Sequence, residues 1–208
     1  MDPGARFGKK WLWVVSRGIV ARMSFPRRGS GGPKSVTPEL LEKAALYYLE
    51  RYASSAENLR RVLMRRVDRW SRIEGGDRKQ GAGWVDALIR RYVDAKLVDD
   101  RAYAQALSSS LRRRGASSRK IKLKLRQKGV DADTADTALD ETGGAGGEAD
   151  LSAAIAFARK RRLGPFGKTA GRKERRMREM AALARAGFGY DIVRKVIDAQ
   201  NEGELHGA

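Results

Sequence analysis

Three short apolar patterns, each in a similar helical setting, constrain this chain more than any other feature. Val85, Leu88 and Ile89 form the first, Ala135, Ala138 and Leu139 the second, and Val193, Val196 and Ile197 the third. Residues at i, i+3 and i+4 share one face of an α-helix, so each pattern marks a short helix with a narrow apolar stripe. Gly129-Val130 and Gly187-Phe188 stand at the same distance before the last two patterns. Repetition at roughly 50 residues predicts stacked helical units, which present an extended surface to a long partner.

Composition supports an all-α chain. The helix formers Ala, Arg, Leu and Lys are abundant, whereas the β-branched residues that fill strands are sparse. The 208 residues carry a formal charge of +19, and that charge is segregated. Nine bases and no acid lie between Arg112 and Lys128, and ten bases against Glu174 alone lie between Arg159 and Arg178. Between these runs, Asp131 to Asp150 holds seven acids and no base. Evenly spread bases would only solvate helix faces; segregated ones build a directional field that draws a polyanion. With no cysteine and a single histidine, His206, in a polar tail, metal and imidazole chemistry have almost no raw material. The apolar run at 11–23 is broken by Arg17 and is shorter than the ~20 residues that span a bilayer. A cytoplasmic chain with no membrane partner is expected, Met23 being an alternative start.

Along the chain, residues 1–38 read as a flexible basic arm rich in Gly, Arg and Pro. Residues 39–97 form a first helical repeat, opened by Thr37 and Pro38, with a glycine-rich insertion at 74–83 and a third helix beginning near Trp84. Ser54-x-x-Glu57 reads as the capping box of its second helix. Residues 98–142 form a second repeat, in which Arg114-Gly115-Ala116-Ser117-Ser118 echoes Arg51-Tyr52-Ala53-Ser54-Ser55. Lys120 to Leu125 alternates like a strand, but Ser118 before it and Gly129 after it mark a helix. A glycine linker at 143–148, a third repeat at 149–201 and a frayed tail at 202–208 complete the division.

Few motifs carry catalytic chemistry. Gly164-Pro165-Phe166-Gly167-Lys168-Thr169 ends like a phosphate-binding loop, but Arg162 occupies the place of that loop's first glycine. Asp99-Asp100 is explained by capping of a helix start. Tyr47, Tyr48, Tyr52, Tyr92 and Tyr103 have helical spacing that favours packing over base stacking, while Trp11 and Trp13 in the arm are freer to meet a partner. No catalytic residue, cofactor, metal or small-molecule substrate is expected. The functional candidates are instead the bases Arg112, Arg113, Arg114, Arg119, Lys120, Lys122, Lys124, Arg126 and Lys128, with Arg159, Lys160, Arg161, Arg162, Arg172, Lys173, Arg175 and Arg176. Such clusters suit phosphate contacts, which give affinity and salt dependence but little base readout.

Val98-Asp99-Asp100-Arg101-Ala102-Tyr103-Ala104, then Arg114-Gly115, Ile121, Leu125 and Gly129-Val130, resemble the core repeat of the RecX family. Ala186-Gly187-Phe188-Gly189-Tyr190-Asp191-Ile192-Val193 resembles its third-repeat signature. The resemblance covers about residues 39–200. It implies three tandem three-helix repeats in an elongated curved body, and a monomeric, non-enzymatic modulator of the RecA recombinase. Such a protein binds the RecA–DNA filament and mostly inhibits it, regulating recombination, DNA repair and the SOS response. The alternative is a sequence-neutral DNA-binding or architectural protein that acts independently of RecA.

Overall fold

The computed structural model describes residues 35–143, 147–168 and 170–206. The basic arm up to residue 34, with Trp11 and Trp13, lies outside them, as do the linker residues 144–146 and the last two residues. The described residues form helices and no strand. In chain order these are α1 (Pro38–Leu49), α2 (Ala56–Glu74), α3 (Arg78–Asp94), α4 (Asp100–Arg113), α5 (Ser118–Gln127), α6 (Ala132–Glu141), α7 (Gly147–Arg161), α8 (Arg172–Arg185) and α9 (Tyr190–Asp198). A 3-10 turn, Gly164–Phe166, precedes α8, and a final turn spans Gly203–His206.

Buried side chains gather into three apolar clusters, one for each successive set of three helices. Leu41, Leu59, Leu63, Val67, Val85 and Tyr92 form the first, and Ala104, Ile121, Leu125, Ala138 and Leu139 the second. Ala154, Leu183, Phe188, Val193, Val196 and Ile197 form the third. All three repeated patterns lie on this inner side of α3, α6 and α9, only Ile89 remaining partly exposed. Burying each large aliphatic chain contributes about 1.5–3 kcal/mol.

The glycines that precede the second and third patterns end helices. Gly129 (φ +79°) and Gly187 (φ +94°) adopt the left-handed conformation that L side chains resist. The following Val130 and Phe188 are buried, and their N–H groups bond back to the carbonyls of Leu125 and Leu183 at 3.1 and 3.3 Å. This is the Schellman arrangement, which satisfies carbonyls that a helix end leaves open.

Three local expectations are corrected. The third helix begins at Arg78, because the Asp77 carboxylate accepts from the N–H groups of Lys79 and Gln80 at 2.8 and 3.3 Å. Gly81 and Gly83 are therefore helical, and the glycine-rich excursion shrinks to the turn at Gly75-Gly76. The N-caps of α2 and α5 are Ser55 and Ser117, so the echo between the two serine loops is one residue out of register. The tail is not frayed where it is described: Leu205 is buried in the third cluster, and Glu204 accepts from the Gln200 N–H at 2.8 Å.

The clusters meet through a joint that occurs twice. In the first, the Ser55 hydroxyl donates to the carbonyl of Lys128, the C-cap of α5, and Asp100 at the start of α4 accepts from the Ala56 N–H at 2.7 Å. In the second, the Ser117 hydroxyl donates to the carbonyl of Ala186, the C-cap of α8, at 2.8 Å. There Asp150 in the first turn of α7 accepts from the Ser118 N–H, also at 2.8 Å. Each joint thus seats the N-terminus of one middle helix on the C-terminus of the next unit's middle helix. Burial pushes the Asp100 carboxyl above its ordinary range, against the opposing pull of the Ala56 N–H.

The glycines after α5 and α8 make the approach possible at the two joints. A methyl group on Gly129 would stand 2.5 Å from Glu57 Cβ, and one on Gly187 would stand 2.6 Å from Ser117 Oγ. By contrast, Gly75 (φ +70°) faces open space. Gly75→Ala is therefore expected to cost only the backbone strain, about 1–2 kcal/mol. Gly129→Ala should cost at least ~1 kcal/mol more, because it also crowds the joint. Chemical denaturation of the two variants checks this; equal losses would mean that the close approach at Gly129 is not a constraint.

Candidate functional site

Helix α5 is short, and only Ser118, Ile121 and Leu125 face its core. Most of its circumference is therefore open to solvent. Arg119, Lys120, Lys124 and Arg126 are exposed and have no ion-pair partner among the described residues. Arg113 and Arg114, at the end of α4, are exposed in the same way. Lys122 differs, pairing with Asp136 on α6 at 2.7 Å. Both groups are well exposed, so the pair contributes at most about 1 kcal/mol. Lys128 Nζ lies 3.4 Å from Asn58 Oδ1, which ties its ammonium to the first joint.

Arg112, a sequence candidate, is a structural residue. Its side chain is only 12% exposed and donates to Asp150 at 2.6 Å and to the Ser118 hydroxyl at 2.8 Å. It braces the second joint and does not face solvent. In the first joint no arginine pairs with Asp100 among the described residues; the Ala56 N–H holds that carboxylate at 2.7 Å.

The second basic run does not form one open face either. Arg176 makes a two-pronged bond to Asp198 at 2.7 and 2.8 Å, which holds the Asp198 carboxyl below its ordinary range. Arg172 donates to the carbonyls of Ile197 and Ala199. Arg175 bonds the buried Glu179 at 3.1 Å and reaches the carbonyls of Lys168 and Ala170. These three arginines fasten α8 to α9 and to the preceding loop. Arg159 pairs with Glu202 and lies 5.4 Å from the centre of the Phe166 ring, while Arg161 lies over Phe157 at 5.2 Å. Lys160, Arg162 and Lys173 are exposed. A groove of about 680 Å³ between the end of α7 and α8 is lined by Leu163 and Phe166 together with Arg162, Arg178 and Arg185.

The loop resembling a phosphate cradle is instead packed structure. The Gly164 N–H donates to Glu179 at 2.8 Å, and Gly164 itself lies against the Val196 carbonyl. No strand precedes it among the described residues, and Thr169 lies outside them. Asp99 caps α4 through the Ala102 N–H at 3.0 Å. Tyr92 is buried, Tyr48 and Tyr52 have ring centres 5.1 Å apart, and the Arg51 guanidinium sits 3.6 Å over the Tyr47 ring. Among the described residues no group of three potential metal ligands converges, and no helix is long and apolar enough to cross a membrane.

Helix α2 adds cations outside the two basic runs singled out in the sequence. Arg61, Arg65, Arg66, Arg69 and Arg72 are all exposed. The spacing Arg61, Arg65, Arg69 was the available signal, since steps of four lie along one helix side. In sequence Asp68 interrupts the run and Glu57 precedes it, but these acids are engaged with Arg78 and Arg61.

Comparison with known proteins bears on this arrangement. The family model described as RecX, second three-helix domain, matches residues 99–139, which run from the α4 cap into α6. The chain is 47% identical over 173 residues to Regulatory protein RecX of Myxococcus xanthus, covering 83% of this chain and 91% of that protein. It is 34% identical over 159 residues to Regulatory protein RecX of Agrobacterium fabrum, covering 76% and 82%. The crystal structure of RecX from Lactobacillus salivarius shares the fold, with a TM-score of 0.55 at 18% identity over 78% of this chain and 96% of that one.

The division between bracing and open arginines is directly testable. Arg112→Ala leaves Asp150 largely buried without its charge partner and should cost about 3–5 kcal/mol. Arg113→Ala, one residue away but exposed, should change stability by no more than about 0.5 kcal/mol. Thermal unfolding distinguishes them, and similar small losses for both would remove Arg112 from the joint.

Proposed function

The chain belongs to the RecX family, and on that premise we propose that it regulates the RecA recombinase by binding along the RecA–DNA filament. Its 47% identity to a protein named Regulatory protein RecX, across nearly the whole of that protein, carries this reading. The proposal divides the helical body into three three-helix repeats, at about 39–97, 98–142 and 149–201, each with its own apolar cluster. A row of similar units matches a partner that is itself a row of similar subunits. Occupying adjacent filament subunits hinders turnover or extension of the filament, so the regulation is mainly inhibitory. Recombination, DNA repair and the SOS response are the processes affected.

The exposed bases of α5 also favour a second reading, in which the chain binds DNA without regard to sequence and independently of the recombinase. The two readings differ in what enhances binding. A filament partner gives tighter association with recombinase-coated DNA than with bare DNA; a DNA-only partner gives no such gain and a steep salt dependence.

On the filament reading, the purified chain inhibits DNA strand exchange by the recombinase at or below stoichiometric amounts. Lys120→Glu with Lys124→Glu shifts the inhibitory dose upward while leaving thermal stability nearly unchanged, because both side chains are exposed and unpaired with any acid among the described residues. Strand exchange that proceeds unaltered across a full titration of the unmodified chain would falsify the filament reading.

A further inference from the structure

The two joints place the middle helices of successive units end to end. The C-terminus of α8 meets the N-terminus of α5 through Ala186 and Ser117, and the C-terminus of α5 meets the N-terminus of α2 through Lys128 and Ser55. Arg61 extends the second contact, donating to the Gln127 carbonyl at 2.9 Å. At the first, the side chain of Arg119 lies beside Gly187. The three helices contain 14, 10 and 19 residues. At ~1.5 Å per residue their summed length is about 65 Å.

This row carries exposed bases along its whole course. Arg178 and Arg185 lie on α8, Lys120 and Lys124 on α5, and Arg65 and Arg69 on α2, all exposed and without an ion pair among the described residues. Their spacing of four or seven keeps each pair on one side of its helix. Arg61, whose guanidinium bridges the α5–α2 joint, is four residues before Arg65, so the basic stripe of α2 starts at the contact with α5.

We propose that α8, α5 and α2 together form one continuous phosphate-binding track for a nucleic-acid backbone. This goes beyond the filament reading: it assigns the site to the row of middle helices, and it includes α2. Nucleic acid is favoured over an acidic protein by two observations. Exposed apolar residues on the row come singly, Met177 on α8, Leu123 on α5 and Ile73 on α2, whereas a protein interface needs a clustered apolar centre. Four of the six cations are arginine, whose planar fork bonds phosphate oxygens in pairs.

The test uses the full chain, without recombinase, so its failure and failure of the filament reading are separately visible. Binding of a labelled DNA duplex and of a labelled single strand of equal length is followed by anisotropy over a salt series. Three charge-matched double variants are compared with the unmodified chain. Arg65→Glu with Arg69→Glu alters the α2 end, Lys120→Glu with Lys124→Glu alters the middle, and Lys43→Glu with Lys96→Glu places the same charge change on exposed residues off the row. The two row variants should each weaken binding about 10-fold or more at low salt, and should reduce the salt slope by about 2. The off-row variant should change affinity less than about 3-fold. The duplex and single-strand arms show which form of backbone the track prefers. Circular dichroism checks each fold, and two row variants at separate places keep the test open if one misfolds. Equal losses for row and off-row variants, a normal affinity in the α2 variant, or competition by polyglutamate as effective as that by DNA would each overturn the track.

Discussion

The joint between successive units is the constraint on which the rest of the structure depends. A helix N-terminus leaves N–H groups open and a helix C-terminus leaves carbonyls open. Here the two kinds of end are brought together. Ser55 and Ser117 each accept a bond within their own helix and donate one to the end of the neighbouring middle helix. Asp100 and Asp150, supplied by the following unit, occupy the positive end of α2 and α5. Polar groups that would otherwise need water become the connection between apolar clusters. The second joint is the more elaborate, because Arg112 reaches Asp150 and Ser118 at once. Gly115 (φ +76°) lets α7 approach there as well; a methyl group at that position would lie 3.0 Å from the Ala153 carbonyl.

The joint also divides the charge. Forty-four lysines and arginines against twenty-five acids leave more cations than internal pairing can use. Some arginines are spent on fastening helices: Arg112 at the second joint, and Arg172, Arg175 and Arg176 around α8. Among the described residues, exposed bases are dense where a middle helix has only a narrow buried stripe, as on α5, or a long exposed flank, as on α2. The exposed bases and the buried stripes of these helices thus lie on different sides.

Much of the fold was legible in the sequence for simple physical reasons. Helical periodicity located the apolar sides of α3, α6 and α9, and the pairs Gly129-Val130 and Gly187-Phe188 marked helix ends because left-handed backbone followed by a buried residue has few sequence solutions. The start of α3 was missed because Gly81 and Gly83 mimic a loop, while the decisive group, the Asp77 cap, is a single side chain. The site was less legible than the fold. A run of arginines in sequence does not say which guanidinium will find a carboxylate or carbonyl from a distant segment. Arg112 and Asp150 are 38 residues apart, and Arg176 and Asp198 are 22 apart. Conversely, the four-residue spacing of Arg61, Arg65 and Arg69 marks a stripe in the sequence, but not that this stripe starts at the contact with α5.

End-to-end joints are useful as a platform only if they hold the middle helices in a fixed relation. The chain contains no cysteine, so Lys120→Cys with Arg69→Cys introduces two unique labelling sites, one on α5 and one on α2. Pulsed electron-spin distance measurement on the doubly labelled chain reports their separation directly. Fixed joints predict one narrow distance distribution in the absence of any partner. A broad or two-peaked distribution would show that the units move independently, and would contradict the rigid row of middle helices.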